Sequence, residues 1–362
     1  MALDTAPTKR DGRSSARALV TRRMADIVCL PASRVAPAER WIVADVLEEM
    51  LREAEPDLRA KVALRLADQA DAPVGLLRRL AVDAFMIAEP ILERSQALTD
   101  FDMMEIARQG DVQHRIALAQ RDPVSQTVAA ALVALGDEPV LKALLRNKSS
   151  VLAQETMARL VREAAESPAL AGSLVKRPEL RPAQALSLFW DVDHEQRKTI
   201  LQRFAVDRTI LREAAQDVFA AAIAATQDDP KLMRALSFID RRQRDRSAAD
   251  RSAYGSLEGA IEVADREGLE GDLIEEVAAL AGIQLSLLQR MKDDFGGEAF
   301  AVLCKATGLP RSCIDSLLRG AQRDHGDVIA NARLIYDTLS VDKAQTVLRY
   351  WDWSWSRAKD RA

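Results

Sequence analysis

Two stretches of the chain decide the fold. Residues 106–121 contain Ile106-Ala-Arg-Gln-Gly-Asp111 followed by Ile116-Ala-Leu-Ala-Gln-Arg121. Residues 132–147 contain Leu132-Val-Ala-Leu-Gly-Asp137 followed by Lys142-Ala-Leu-Leu-Arg-Asn147, the same arrangement displaced by 26 residues. Each copy spells one helix, a glycine, an aspartate and a second helix. The glycine is expected to end the first helix in a left-handed cap, and the aspartate to start the next. A two-helix unit this short cannot bury its own apolar face, so it must stack on neighbours, as in an α-solenoid.

Outward from this repeat, helix-start signals recur at short intervals. They are Asp71-Ala-Pro73, Glu89-Pro90, Thr99 with Asp102, Asp122-Pro123, Asp137-Glu-Pro139, Ser167-Pro168, Arg181-Pro182 and Asp229-Pro230. A Ser, Thr or Asp side chain accepts from the free N–H groups of a first turn, and a proline there loses no bond. Between these signals lie segments with helical apolar spacing, such as Ile42, Val46, Leu47, Leu51 and Leu152, Met157, Leu160, Val161. No strand-like alternation interrupts them. The expectation is an all-α protein of about 18–20 short helices, a HEAT-like α-solenoid whose period drifts away from the clearest pair.

Composition agrees. Of 362 residues, 48% are apolar but only 4% aromatic, with 15 Gly and 13 Pro, fewer than ordinary usage supplies. This favours helices over sheets. With 29% charged residues and a net charge of -4, disorder, collagen-like and disulfide-stapled classes are excluded. Cys29, Cys304 and Cys313 match neither a redox pair nor a zinc knuckle and are expected to be small apolar helix residues in a reducing compartment. No run approaches the ~20 apolar residues of a membrane span. The first residues lack the apolar core of a secretory signal, so a cytoplasmic location is expected.

Four regions are expected: a disordered basic arm over 1–13, helical repeats over 14–225, a charged linker or exposed helix end over 226–252, and a second helical region over 253–355. The linker contains Asp240-Arg-Arg-Gln-Arg-Asp-Arg246, and residues 240–251 hold five Arg against three Asp.

Glu89-Pro-Ile-Leu-Glu-Arg-Ser95, Leu98-Thr-Asp-Phe-Asp102, Arg121-Asp-Pro-Val-Ser125, the His114 segment, the Arg177-Pro178 stop and Leu188-Phe-Trp-Asp-Val192 form an ordered run of motifs. In this run, from about Ala38 to about Leu318, the chain resembles the bacterial helical family catalogued as domain of unknown function 2336, found mainly in alphaproteobacteria. The resemblance implies a HEAT-like helical array and carries no activity with it.

Chemistry-bearing patterns are sparse. His114, His194 and His325 show no zinc-enzyme spacing. His114 faces Asp111 across one helical turn, where a polar contact is the preferred reading over a metal ligand. Asp100 and Asp102 form a DxD pair, but Thr99 with Asp102 has the spacing of a capping box. Glu93 and Arg94 are expected to serve a structural ion pair rather than catalysis. No phosphate-cradling glycine loop or nucleophile elbow is present. No catalytic residue, metal or cofactor is therefore expected, and the protein is read as not an enzyme.

Near the C-terminus, Val277-Ala-Ala-Leu-Ala-Gly282-Ile283 and Leu303-Cys-Lys-Ala-Thr-Gly308-Leu309 fit helix-turn-helix spacing. If these pairs read DNA, Gln284, Ser286, Gln289 and Arg290, or Arg311, Ser312 and Ser316, would face it. Residues 269–320 hold five Lys/Arg against eight Asp/Glu, whereas phosphate neutralisation needs a basic footprint. Gly282 and Gly308 are 26 residues apart, the same length as the first repeat, so they are read as packing turns.

Partner-binding candidates are Arg241, Arg242 and Arg244 in the arginine-rich stretch, and Trp351, Trp353 and Trp355 at the C-terminus. A tail helix capping the last repeat competes with an aromatic docking patch for the tryptophans. Residues 9–23, with six basic residues against Asp11, are read as a solvated arm or a contact for an acidic partner. Helical arrays commonly bind another protein along a curved face, so a scaffold or regulatory adaptor with a protein partner is expected. The alternative is a nucleic-acid-binding protein, through the Gly282 and Gly308 pairs or a basic concave face near Trp190 and Asp191, disfavoured by charge. Nothing in the sequence fixes the oligomeric state.

Overall fold

The computed structural model describes residues 9–30, 34–205 and 246–360. Among them are twenty-one α-helices and one 3-10 turn, with no strand, so the all-α class holds. The contacts divide the chain into two compact units, 1–160 and 161–362.

The first unit contains α1 (Lys9–Val28), α2 (Pro37–Leu51), α3 (Pro56–Leu66), α4 (Val74–Ala81), α5 (Phe85–Arg94), α6 (Asp100–Gln109), α7 (Val112–Gln120), α8 (Gln126–Leu135) and α9 (Glu138–Arg146). Helices two apart in the chain pack on each other: α2 on α4, α4 on α6 and α6 on α8 in one layer, α3 on α5, α5 on α7 and α7 on α9 in the other. Helices of eight to ten residues are marginal in water on their own. They persist because each inserts an apolar stripe between the layers, such as Val140, Leu141, Leu144 and Leu145 of α9. A buried Leu or Val contributes about 1.5–3 kcal/mol, so one such stripe outweighs the weak nucleation of its helix.

The start signals are borne out in part. Thr99 caps α6 in a reciprocal box with Asp102. Helices begin at Glu138, Pro168 and Pro182, next to the predicted residues. Asp137, however, makes no cap bond; its carboxylate accepts from Arg115 at 2.6 Å. Asp122-Pro123 does not start α8, which begins at Gln126 with the Ser125 hydroxyl accepting from the Val128 N–H. Glu89-Pro90 lies inside α5. That helix runs through Pro90 because Ile87, Ala88, Ile91 and Leu92 anchor it in the core, while the missing bond falls on the carbonyl of exposed Met86. Asp229-Pro230 lies outside the described residues.

The two repeat glycines differ. Gly136 takes the expected left-handed conformation, φ 79°. Gly110 does not: its φ is -75°, and it is glycine because an added Cβ would lie 2.7 Å from the Cβ of His114. Close approach, not handedness, selects that residue.

Helix α10 (Gln154–Ala164) runs across the division at residue 160. The second unit continues with α11 (Pro168–Leu174), α12 (Pro182–Leu188), the 3-10 turn Phe189–Asp191, α13 (His194–Phe204), α14 (Arg246–Arg251), α15 (Leu257–Glu267), α16 (Gly271–Ala281), α17 (Leu285–Asp293), α18 (Glu298–Thr307), α19 (Ser312–Gly320), α20 (Gly326–Thr338) and α21 (Val341–Asp360). Its centre is α18, buried at every residue but Lys305 and packed by α19, α20 and α21. Its apolar residues 299–304 are all buried and Glu298 is buried with charged partners, so only Lys305 reaches toward solvent. The boundary expected after residue 225 lies outside the described residues; the contacts divide the chain at residue 160. Helices α11–α13 belong with the C-terminal helices, because Arg197 pairs with Asp294 and the Trp351 indole N–H donates to the Leu186 carbonyl.

Candidate functional site

In the first unit, α7 and α9 are successive second helices of the repeat and leave an open groove of about 570 Å³ between them. Its apolar residues are Ile116, Pro139 and Ala143, and its polar ones are Gln120, Lys142, Arg146, Asn147 and Lys148. The repeat register creates it: Lys142 and Arg146 stand on α9 where Ile116 and Gln120 stand on α7.

Asn147 fixes the groove's end. Its side-chain amide donates to the carbonyls of Ala119 at 2.9 Å and Arg121 at 2.7 Å. Its Oδ1 accepts from the Ser149 N–H at 2.9 Å. Lys142 Nζ lies 2.5 Å from Glu138, one turn back on α9. Arg146 and Lys148 are exposed, and among the described residues no carboxylate pairs with either. No acidic residue lines the groove, so it presents positive charge around a small apolar floor.

The second unit holds a buried charged cluster. Arg197, fully buried, donates to both oxygens of Asp294, at 2.5 and 2.8 Å, and to Glu298 at 3.0 Å. The other Glu298 oxygen lies 2.6 Å from His194 Nδ1. The Phe295 ring covers the guanidinium at 3.9 Å, and Phe189 flanks it at 4.8 Å. Gly296 allows this approach, since an added Cβ would stand 2.0 Å from a Glu298 oxygen and 2.6 Å from Arg197 Nη1. Each charged group is satisfied by another, as buried ions require. The cluster clamps α13 to the segment between α17 and α18.

His114 makes the polar contact expected of it. Its Nδ1 lies 2.7 Å from Asp111 and its Nε2 2.9 Å from the Asp83 carbonyl. The hydrogen bonds from His114 hold the Asp111 carboxyl below the usual range. Asp100 and Asp102 turn to different partners, Ser125 and the pair Thr99 with Arg78. Arg94 pairs with Asp68 rather than Glu93. The three cysteines are buried and unbridged. Burial pushes Cys313 up to about 11 and raises Cys304 and Cys29 as well, so all three stay protonated thiols near neutral pH. Among the described residues, no group of three or more His, Cys, Asp or Glu is placed to hold a metal.

Of the partner-binding residues expected from the sequence, Arg241, Arg242 and Arg244 lie outside the described residues. Trp351 is a correction: it is 1% exposed, tilted against Phe189 and Trp190 with ring centroids at 4.6 and 4.9 Å. It cannot belong to an exposed docking patch. Trp353 is half-buried, and the Trp355 side chain lies outside the described residues. Trp190 is buried in the same aromatic cluster, so its ring is not free for a nucleobase. Burial raises the Asp191 carboxyl, against the opposing pull of Arg290 and Arg197. Gly282 and Gly308 take the left-handed caps expected of packing turns, φ 69° and 72°. No sequence motif marks the groove residues. Lys142, Arg146 and Lys148 show only a spaced run of cations, and its place opposite Ile116 emerges once the repeats are stacked.

A family model described as an uncharacterised protein conserved in bacteria, DUF2336, matches residues 87–349. No curated protein and no solved structure gives a significant match. No helix among the described residues is long and apolar enough to cross a membrane.

Proposed function

The chain belongs to this uncharacterised bacterial family, and from that premise we propose that it is a non-enzymatic cytoplasmic scaffold or regulatory adaptor that holds an acidic segment of a partner protein in the groove between α7 and α9. The observation that carries the reading is the groove's charge: exposed Arg146 and Lys148 beside Ile116, Pro139 and Ala143, with no carboxylate in the lining. Rim cations steer an acidic segment in, and the apolar floor takes one side chain as an anchor. The second helices are held in register by side-chain bonds, so the groove is formed before a partner arrives, which lowers the ordering cost of binding.

Display of random 12-residue peptides against the full chain tests this. The expected winners carry Asp or Glu around one Leu or Phe, and they bind about tenfold more weakly to a chain carrying Arg146→Glu and Lys148→Glu. Winners without acidic character, or binding indifferent to those reversals, would overturn the reading. Salt-dependent capture of duplex DNA through the same two cations would replace it with nucleic-acid binding.

A further inference from the structure

Helices α1 and α2 keep apolar side chains on their outward faces. Leu19, Val20 and Ile27 on α1 and Trp41, Ile42 and Val46 on α2 are exposed, Ile42 at 67% and Leu19 at 59%. Single exposed apolar residues are ordinary, but six on two packed helices are not. The inward faces are already filled, by Thr21, Ala25 and Val28 on α1 and by Arg40, Ala44, Leu47 and Leu51 on α2. The outward residues are thus a second stripe, not a displaced core face.

The two stripes run side by side. Arg17 Nη1 lies 2.7 Å from Glu53. Val20 follows Arg17 by one turn on α1. Glu53 lies just past the end of α2, and Glu49, Val46 and Ile42 on that helix precede it at helical spacing. The ion pair therefore ties the start of one stripe to the end of the other.

The flanking charges have opposite signs. Arg17, Arg22 and Arg23 are exposed on α1 beside one exposed acid, Asp26, which is already paired with Arg65, whereas the exposed charges of α2 are Glu39, Asp45 and Glu49. A partner of one charge sign satisfies only half of this surface, and an anionic membrane is repelled by the α2 half. A second copy, turned by a two-fold axis, sets each basic α1 on the partner's acidic α2 and each apolar stripe on the other. We infer that α1 and α2 form a self-complementary interface through which two copies of this chain pair into a four-helix layer. The inference does not rest on the α7–α9 groove.

Sedimentation equilibrium of the full chain is the test. The expected mass is twice 39.9 kDa at tens of micromolar. Ile42→Glu, at a side chain already in water, is expected to return the chain to single mass with its helical circular dichroism unchanged. Two charge-reversed chains make the test specific. One carries Arg22→Glu and Arg23→Glu, the other Asp45→Arg and Glu49→Arg. Each alone is expected to be monomeric, and an equimolar mixture to pair again. A wild-type chain of single mass, a dimer that survives Ile42→Glu, or a mixture that stays monomeric would each overturn the inference.

Discussion

Arg121 and Asn147 perform the same act one repeat out of step. The Arg121 guanidinium donates to the carbonyls of Leu92 and Ser95, at the end of α5. The Asn147 amide, 26 residues later, donates to those of Ala119 and Arg121, at the end of α7. Arg203 repeats the device in the second unit, donating to Val175 at 2.9 Å and Arg177 at 3.1 Å. The last carbonyls of a helix have no partner within it. Here each is closed by a side chain from the next second helix, and that bond sets the register of the stack.

Asn147→Ala should therefore cost more than a surface change. It leaves the Ala119 carbonyl without its donor and the Arg121 carbonyl with only the longer contact from the Ser149 hydroxyl at 3.4 Å, and about 1–3 kcal/mol of stability is expected to be lost. Urea denaturation of the full chain followed by circular dichroism measures it. A change below 0.5 kcal/mol, roughly what an ordinary surface substitution gives, would mean that water replaces the amide without loss.

Gly110 and Gly136 should respond differently to asparagine, because they are glycine for different reasons. Asparagine tolerates the left-handed conformation, so Gly136→Asn is expected to stay within about 0.5–1 kcal/mol of wild type. Gly110→Asn and Gly110→Ala both drive a Cβ into His114, and each is expected to cost about 1–3 kcal/mol. Thermal melts of the three variants separate the two causes.

Arg197→Met strips the cation from two buried carboxylates. A loss of about 3–5 kcal/mol is expected, and the half-exposed Phe295 loses the guanidinium beneath its ring. Arg197→Lys should recover only part of it, since an ammonium cannot donate to both Asp294 oxygens and Glu298 in the same plane. Denaturant midpoints of the two variants check the order.

Asp102 gives a pH signature. Burial works against its charge, yet the bonds from the Thr99 hydroxyl and N–H and from Arg78 outweigh that and hold the carboxyl below its usual value. With the folded value depressed, the stabilisation is fully present above the unfolded carboxylate range and is lost as pH falls through the folded value. Wild type should therefore lose stability on acidification more steeply than Asp102→Asn, measured as melting temperature from neutral pH downward. Parallel curves would contradict it.

Much of the fold was legible because short helices need external help, and the help is written locally. Thr99 with Asp102, and the prolines at 139, 168 and 182, mark starts that depend only on neighbouring residues. Gly136, Gly282 and Gly308 mark stops for the same reason. Long-range competition hid the rest. Asp137 had the right position to cap, but Arg115 claimed its carboxylate. Pro90 looked like a start, and four buried neighbours carried the helix through it. The partition of the chain depends on Arg197 meeting Asp294 and Trp351 meeting Leu186, encounters between residues about a hundred or more apart that no local pattern announces. The aromatic run at the C-terminus suggested a docking patch, yet one of its rings completes the core of the second unit.

Amide hydrogen exchange of the full chain, with and without a saturating display-selected acidic peptide, reads where such a segment docks. Slowed exchange is expected along α7 and α9 and in the turn at residues 147–150, with α11–α21 unchanged. Protection confined to the second unit, or no protection anywhere despite binding, would contradict docking between α7 and α9.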